Sequence, residues 1–146
     1  MSQIPEKIST FIASNHVLSL CIADENGPWA ASCFYVYDPT EVGFIILTSP
    51  QTRHGKRMLE APEIAGTIAG QPDRIRDIRG LQYTARARTL DGEARKLALW
   101  AYSARHPAAK FVRAEVWLLE LRTLKYTDNS LIFGQKTYWQ RDETTP

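Results

Sequence analysis

A group of polar and basic side chains follows the third apolar run of the chain and could bind a phosphate group. Thr48 and Ser49 supply two hydroxyls, and Arg53, His54 and Lys56 follow at the start of a predicted helix. The first N–H groups of a helix and nearby cations attract anions, so this arrangement favours a phosphate dianion. The alternative is an ordinary solvated basic helix start. Cations in a first turn oppose the helix dipole by a few tenths to about 1 kcal/mol, so the sequence predicts a compensating anion here.

Other reactive side chains are few and scattered. His16 and His106 stand far from His54 and lack metal-site spacing, and neither GxSxG nor HExxH occurs, so hydrolase and metalloenzyme functions have no support. Cys21 and Cys33 are the only cysteines, and they do not form a CxxC motif. We therefore expect two buried, reduced thiols in a cytoplasmic protein.

Composition limits the classes of partner. The chain has 146 residues, of which 44% are hydrophobic, which is enough for one domain over 1–146. Its net charge of +2 gives no long-range attraction for nucleic acid or an anionic membrane. Arginines cluster within 73–88, but Asp73 and Asp77 lie among them, which favours a solvated face. The chain shows neither an export signal at its start nor an apolar run of about 18 residues, so we expect a soluble, cytoplasmic protein.

The elements that must position these side chains are mostly strands. Ile4, Ile8, Phe11 and Ile12 recur at helical spacing and predict an amphipathic helix that covers the core. Further helices are predicted over 53–60, with Thr52 as its N-cap, and over 93–104, with an apolar stripe of Ala94, Leu97, Ala98 and Ala101. The strands are predicted at 16–23, 29–38, 43–48, 63–70, 80–90 and 114–126. The remaining segments are predicted as a charged loop (71–79), an aromatic and basic tail (131–141) and a frayed end (142–146).

This order of elements predicts the fold class. Six short strands without regular βαβ alternation favour a mainly β (α+β) antiparallel barrel with helices at its ends over a doubly wound sheet. The strand 29–38 is apolar or aromatic on both faces. We expect one face to pack inside the barrel and the other on a twin subunit, which predicts a homodimer.

Several motifs resemble a known family. The segments GFIILTSPQTRHGKRMLEAPEIAGTIAGQ and IRGLQYTARARTLDG are similar to the pyridoxamine-5′-phosphate-oxidase-like FMN-binding split barrels. Over nearly its full length the chain resembles the small YhbP-like group of bacterial proteins within them. The motifs that carry this resemblance are Thr52-Arg53-His54, Ala65-Gly66-Thr67, Gly70-Gln71-Pro72, Ile78-Arg79-Gly80, Tyr126-Thr127-Asp128-Asn129 and Trp139-Gln140-Arg141-Asp142. It implies a six-stranded split barrel, a dimer with FMN at the subunit interface, and flavin-dependent redox chemistry in many members.

The resemblance also implies where FMN would bind. It assigns the phosphate to the segment around Thr48 described above, and it lays the isoalloxazine ring over Ala31, Ser32 and Cys33. Cys33 is then either a redox thiol beside the ring or an inert strand cysteine. The pyridoxamine oxidases use an Arg early in this strand and a Lys at its end, where this chain has Ala31 and approximately Val36. This departure argues against pyridoxamine-phosphate oxidation and against very tight FMN binding.

The resemblance also implies roles for four more residues. Gln82, followed by Tyr83, matches a position where relatives contact the flavin, and the alternative is a polar residue on the wet face of a strand. Trp139 and Arg141 resemble a Trp and an Arg that reach the active site from the partner subunit. The alternative for this pair is a hydrophobic anchor with a surface charge.

Two hypotheses of function follow. The first is an FMN-dependent oxidoreductase that acts on a small molecule, with NAD(P)H as a candidate electron donor, in which FMN carries the chemistry and no catalytic acid or base is obligatory. The second is a non-enzymatic split barrel that binds another small ligand or serves as a structural dimer.

Overall fold

A computed structural model describes residues 3–111, 113–130 and 132–142 of the chain. The helices within these residues are α1 (Glu6–Ser14), α2 (Arg53–Glu60) and α3 (Gly92–Arg105). The strands are β1 (Val17–Asp24), β2 (Gly27–Phe34), β3 (Val36–Asp38), β4 (Gly43–Thr48), β5 (Glu63–Ala69), β6 (Arg79–Thr89), β7 (Glu115–Asp128) and β8 (Gln135–Gln140). Short 3₁₀ helices span Ile75–Asp77 and Pro107–Phe111. In this part of the chain, no helix has both the length and the apolar character to cross a membrane.

The strands form one antiparallel sheet in the order β2-β1-β5-β6-β7-β4-β3, with β8 beside the second half of β7. The long strand β7 pairs with β4 through its first half and with β8 through its second half. A single residue, Tyr35, joins β2 to β3, although these strands lie at opposite ends of the order. The sheet therefore curls back on itself into a split barrel, which confirms the predicted fold class.

Helices complete the packing on two sides of the sheet. The α1 residues Ile8 and Ile12 are fully buried at the barrel core, where the Tyr35 hydroxyl donates a 2.6 Å hydrogen bond to the Ile12 carbonyl oxygen. Helix α3 buries Ala98 and Tyr102 in a second apolar cluster with residues of β4 and β7. This second cluster fixes the end of α3 beside the split of the barrel.

The described residues contain eight strands, whereas the sequence predicted six. The predicted strand 29–38 is two strands because the chain changes partner at Tyr35: β2 pairs with β1, and β3 pairs with β4. Strand β8 lies in the segment predicted as a tail, because its sequence QKTYWQ places Tyr138 and Trp139 side by side and lacks the apolar alternation that marks a strand. Strand β4 and helix α2 have the predicted bounds. The expected fraying of 143–146 lies outside the described residues.

Candidate functional site

A pocket of about 560 Å³ opens at the split of the barrel, and we call it the split pocket. It lies between β2 on one side and β4 with the start of α2 on the other, and the end of α3 forms its third side. Its principal lining residues are Ser32, Cys33 and Phe34 from β2, Leu47, Thr48 and His54 from β4 and α2, and Tyr102, Arg105 and His106 from α3 and the residue after it. A concave site of this size, with mostly apolar walls and a few polar groups, is typical of small-molecule and cofactor pockets.

The polar wall of the split pocket is built by Thr48 and His54. Thr48 ends β4 and is buried, and its Oγ1 lies 2.6 Å from Nε2 of His54. His54 is held there by the first turn of α2, where the N-cap Thr52 accepts a 3.0 Å hydrogen bond from the Gly55 N–H. Burial lowers the pKa of His54 below its ordinary value, so the imidazole is neutral near pH 7. This wall therefore offers a hydroxyl and a neutral imidazole.

The opposite wall is aromatic. The Phe34 ring lies 5.2 Å from the ring of His106, which lies 5.0 Å from the ring of Tyr102. The Tyr102 hydroxyl donates to the Phe34 carbonyl oxygen at 3.3 Å, and Nε2 of His106 lies 3.0 Å from the Tyr35 carbonyl oxygen. Phe34 nevertheless keeps 52% of its surface exposed. An aromatic face therefore remains open at the mouth of the split pocket.

Cys33 lies in the split pocket as a protonated thiol. Burial raises its pKa to about 11, so the nucleophilic thiolate is scarce near neutral pH. Its partly buried side chain packs against the barrel core together with that of Ala31. These contacts favour the inert-cysteine alternative.

Arg53 points to the hairpin between β1 and β2 rather than into the split pocket. Its Nε and Nη2 donate to the Asp24 carboxylate at 2.8 and 2.9 Å, and its guanidinium lies 4.5 Å from the centre of the Trp29 ring. Lys56 lines the same small charged cleft, and the Ser49 hydroxyl accepts a 3.0 Å hydrogen bond from the Gln51 N–H. Asp24 is therefore an anion that compensates the basic first turn of α2, so the dipole argument does not by itself require a bound phosphate.

Gln82 and Tyr83 lie on opposite faces of β6. Gln82 is exposed on the outside of the barrel. Tyr83 is buried in the core, where its hydroxyl donates a 2.7 Å hydrogen bond to the Ser19 carbonyl oxygen and burial raises its pKa. A Cβ at Gly66 would overlap this hydroxyl and the Ser19 carbonyl. Gly66 therefore makes room for the chain's own tyrosine.

Trp139 and Arg141 are anchored within their own chain. Trp139 is 8% exposed and belongs to the barrel core. Arg141 donates from Nε to the Leu121 carbonyl at 2.6 Å, and from Nη2 to the carbonyls of Glu41 and Val42 at 3.0 and 2.8 Å. These contacts favour the anchoring alternative over contribution to a partner's site.

The outer surface of the sheet forms a second concavity of about 920 Å³ across β1, β5, β6, β7 and β8. We call it the outer sheet face, and the strand registers place Ser19, Thr67, Gln82, Lys125 and Tyr138 in one row across it. The Ser19 and Thr67 hydroxyls lie 2.6 Å apart. Among the described residues that line this concavity, Lys125 is the only charged one. Depletion of charge is characteristic of the centre of a protein interface.

The pocket residues that the sequence did not predict are those of the aromatic wall, chiefly Phe34, Tyr102 and His106. The apolar stripe predicted for α3 included Leu97, which is 68% exposed, and omitted the buried Tyr102. Within the described ranges, no cluster of three or more His, Cys, Asp or Glu side chains is arranged to hold a metal ion.

Curated relatives match the chain over nearly its whole length. The UPF0306 protein of Serratia proteamaculans (strain 568) is 43% identical over 136 residues, which cover 93% of this chain and 94% of that protein. The UPF0306 protein YhbP of Escherichia coli O9:H4 (strain HS) is 41% identical over 138 residues, which cover 94% of each chain. No family model matches the chain.

Solved structures share the fold at low sequence identity. A heme binding protein from Mycobacterium smegmatis superposes with a TM-score of 0.79 at 18% identity, and the match covers 96% of this chain and 60% of that longer chain. An FAD-binding protein from Mesorhizobium loti gives a TM-score of 0.68 at 14% identity, covering 84% and 92%. A protein related to general stress protein 26, of the pyridoxinephosphate oxidase family, from Clostridium acetobutylicum gives 0.66 at 18% identity, covering 94% of each chain.

Proposed function

This chain belongs to the UPF0306 family, and we propose that it is a flavoprotein that binds FMN in the split pocket and acts as a flavin-dependent oxidoreductase on a small molecule. The observation that carries the proposal is the convergence of Ser32, Cys33, Thr48 and His54 in one pocket. These residues lie in two separate segments, both of which were predicted from the sequence to form a flavin site. The FAD-binding and pyridoxinephosphate-oxidase-family proteins among the structural neighbours support the same ligand class.

The split pocket suits a flat heteroaromatic ring. Phe34 offers an open aromatic face, and Leu47 and Ala109 add apolar wall. The Thr48 hydroxyl and the neutral imidazole of His54 provide polar contacts at one end. Few, well-placed polar groups in an apolar cavity orient a bound ring and exclude water from its faces.

The phosphate end of FMN fits the first turn of α2. Thr48, at the end of β4, and His54, in this turn, line the pocket wall, and the adjacent residue Arg53 supplies a cation. The Nε and Nη2 groups of Arg53 hold Asp24, whereas its Nη1 makes no hydrogen bond within the described part of the chain. A phosphate at this turn would meet the Thr48 hydroxyl and the His54 imidazole. It would reach the Arg53 guanidinium in competition with Asp24, because that side chain points to the hairpin between β1 and β2.

The chain's own residues bind and orient the cofactor rather than react. When bound, FMN supplies the electron-transfer chemistry of the site. Cys33 stays protonated, because its pKa is about 11, and His54 stays neutral because burial lowers its pKa. Neither group adds a charge beside the ring near neutral pH.

We further propose that the protein works as a homodimer through the outer sheet face. Two copies of this face would bury few charges, and its hydroxyl pairs, such as Thr84 with Thr123 at 2.6 Å, already satisfy one another. Phe34, on the outward side of β2, lies at the edge of the same surface. A partner subunit on this face would cover the mouth of the split pocket and shield a bound ring.

A second candidate is non-enzymatic binding of heme in the same pocket. The imidazoles of His54 and His106 both line it, and histidine is a common axial ligand of heme iron. The heme binding protein of Mycobacterium smegmatis has the same fold. Absorbance separates the two candidates, because bound heme gives a Soret band and bound FMN gives a flavin spectrum.

The proposal is tested by a substitution that fills the split pocket with a large side chain. Ala108 is exposed at its mouth, so Ala108→Trp should place an indole in the cavity and abolish binding of added FMN, measured by flavin fluorescence. Ala104→Trp, on an exposed position of α3 outside the pocket, is the matched control and should bind FMN like the wild type. Undiminished binding by Ala108→Trp would place FMN elsewhere, and absence of binding by the wild type would refute the proposal.

A further inference from the structure

The hairpin between β1 and β2 holds a carboxylate against the arginine of the proposed phosphate site. Nε of Arg53 lies 2.8 Å from Oδ2 of Asp24, and the two side chains are 32% and 11% exposed. The Asn26 N–H donates a 2.8 Å hydrogen bond to Oδ1 of Asp24, so the turn itself fixes the carboxylate. The pair is therefore a built contact and differs from a chance meeting of two flexible surface side chains.

Neighbouring contacts hold both partners in place. The Trp29 ring lies beneath the Arg53 guanidinium at 4.5 Å. One turn later in α2, Nε of Arg57 donates a 2.7 Å hydrogen bond to the Ala23 carbonyl oxygen. The hairpin and the start of α2 are thus joined at two points, and Asp24 cannot drift away from Arg53 when no ligand is bound.

We propose that Asp24 is an internal competitor that occupies Arg53 and reserves it for a phosphomonoester dianion. The inference rests on the proposed FMN site. A carboxylate ligand would only exchange one carboxylate for another at the guanidinium. A phosphomonoester carries a charge of about −1.5 to −2 near neutral pH and three acceptor oxygens. It therefore forms stronger charge-assisted hydrogen bonds with Arg53 than the Asp24 carboxylate does. Asp24 therefore lowers the affinity for every anion, so that only a ligand with more charge than a carboxylate gains net free energy at Arg53.

The test compares FMN with riboflavin, which has the same ring without the phosphate. Asp24→Asn keeps an oxygen for the Asn26 N–H and removes the charge. Fluorescence titration should show FMN affinity about tenfold higher than in the wild type and unchanged riboflavin affinity. Glu25→Gln is the matched control: it removes a charge from the same hairpin at an exposed position, and it should change FMN affinity by no more than about twofold.

Two additional variants keep the result interpretable. Asp24→Ser also preserves an acceptor for the turn, and it replaces Asp24→Asn if thermal unfolding shows that the latter is misfolded. In an Arg53→Ala background, Asp24→Asn should not raise FMN affinity, because the competitor acts through Arg53.

The outcomes separate this inference from the proposed function. A lower or unchanged FMN affinity in Asp24→Asn, with normal riboflavin binding, would overturn the competitor role and leave the flavin site standing. Equal gains for both flavins would also overturn it, because the effect would not depend on phosphate. If neither the wild type nor Asp24→Asn bound FMN or riboflavin, the FMN proposal would fail together with this inference.

Discussion

The indole N–H of Trp117 donates a 3.0 Å hydrogen bond to the carbonyl oxygen of Thr48. Trp117 is fully buried in the barrel core, and Thr48 forms the polar wall of the split pocket. A fully buried tryptophan therefore fixes the backbone that presents the Thr48 hydroxyl to His54. Core packing and pocket geometry are coupled at this point.

Trp117→Phe should destabilise the protein by about 1–3 kcal/mol, because it removes this hydrogen bond and leaves unfilled volume in the core. The free energy of unfolding in urea measures the effect. Trp100→Phe is the matched control: Trp100 is 75% exposed, so the same change there should be nearly neutral. Equal effects at the two positions would contradict the role of Trp117.

Gly66→Ala should destabilise the protein by about 1–3 kcal/mol or more, because a Cβ would overlap the Ser19 carbonyl and the Tyr83 hydroxyl. Gly70→Ala provides the comparison, since a Cβ at Gly70 meets open space. Denaturation midpoints of both variants give the result. A wild-type midpoint for Gly66→Ala would show that Tyr83 can shift freely.

Stability should depend on pH through His54. Burial lowers the pKa of His54 in the folded state below its ordinary value of 6.5, so the unfolded chain takes up a proton first on acidification. The free energy of unfolding contributed by this group is therefore full above pH 6.5 and falls as the pH drops from 6.5 through the lower folded-state pKa. His54→Gln keeps a polar partner for Thr48 and does not titrate, so its unfolding free energy should fall less over the same range. An identical decline in both proteins would contradict this prediction.

Thr67→Arg should convert a homodimer to a monomer, because it places a charge at the middle of the outer sheet face in each copy. Light scattering at micromolar concentration measures the mass. Thr40→Arg, at an exposed position outside this face, should leave the mass unchanged. A wild-type protein that is monomeric would remove the basis for this interface, and a dimeric Thr67→Arg would move the interface elsewhere.

The sequence predicted well those features that depend on neighbouring residues. Thr52 caps α2 in the structure, and β4 ends at Thr48, so the juxtaposition of Thr48 and His54 follows from one short segment. The partner of Arg53 could not be predicted in this way. Asp24 lies 29 residues earlier, and its hairpin meets the start of α2 only when the helix packs against β1 and β2.

The rest of the site depends on contacts made late in the fold. Tyr102 and His106 reach the split pocket because α3 packs against β4 and β7, and the periodicity of α3 favoured a different stripe. Trp139 is buried by pairing of β8 with β7, although the sequence of β8 has no alternating pattern. Long-range pairing of this kind leaves no local signal for a sequence pattern to detect.

The most direct test is equilibrium titration of FMN and riboflavin into the wild type, Arg53→Ala and Arg57→Ala. We expect the wild type to bind FMN more tightly than riboflavin. Arg53→Ala should weaken FMN binding about ten- to a hundredfold and leave riboflavin binding nearly unchanged, because a charge-assisted contact contributes about 1.5–3 kcal/mol. Arg57→Ala, one turn along α2, should lose far less FMN affinity than Arg53→Ala. Equal affinities of the wild type for the two flavins, or equal losses for both in Arg53→Ala, would contradict a phosphate site at the start of α2.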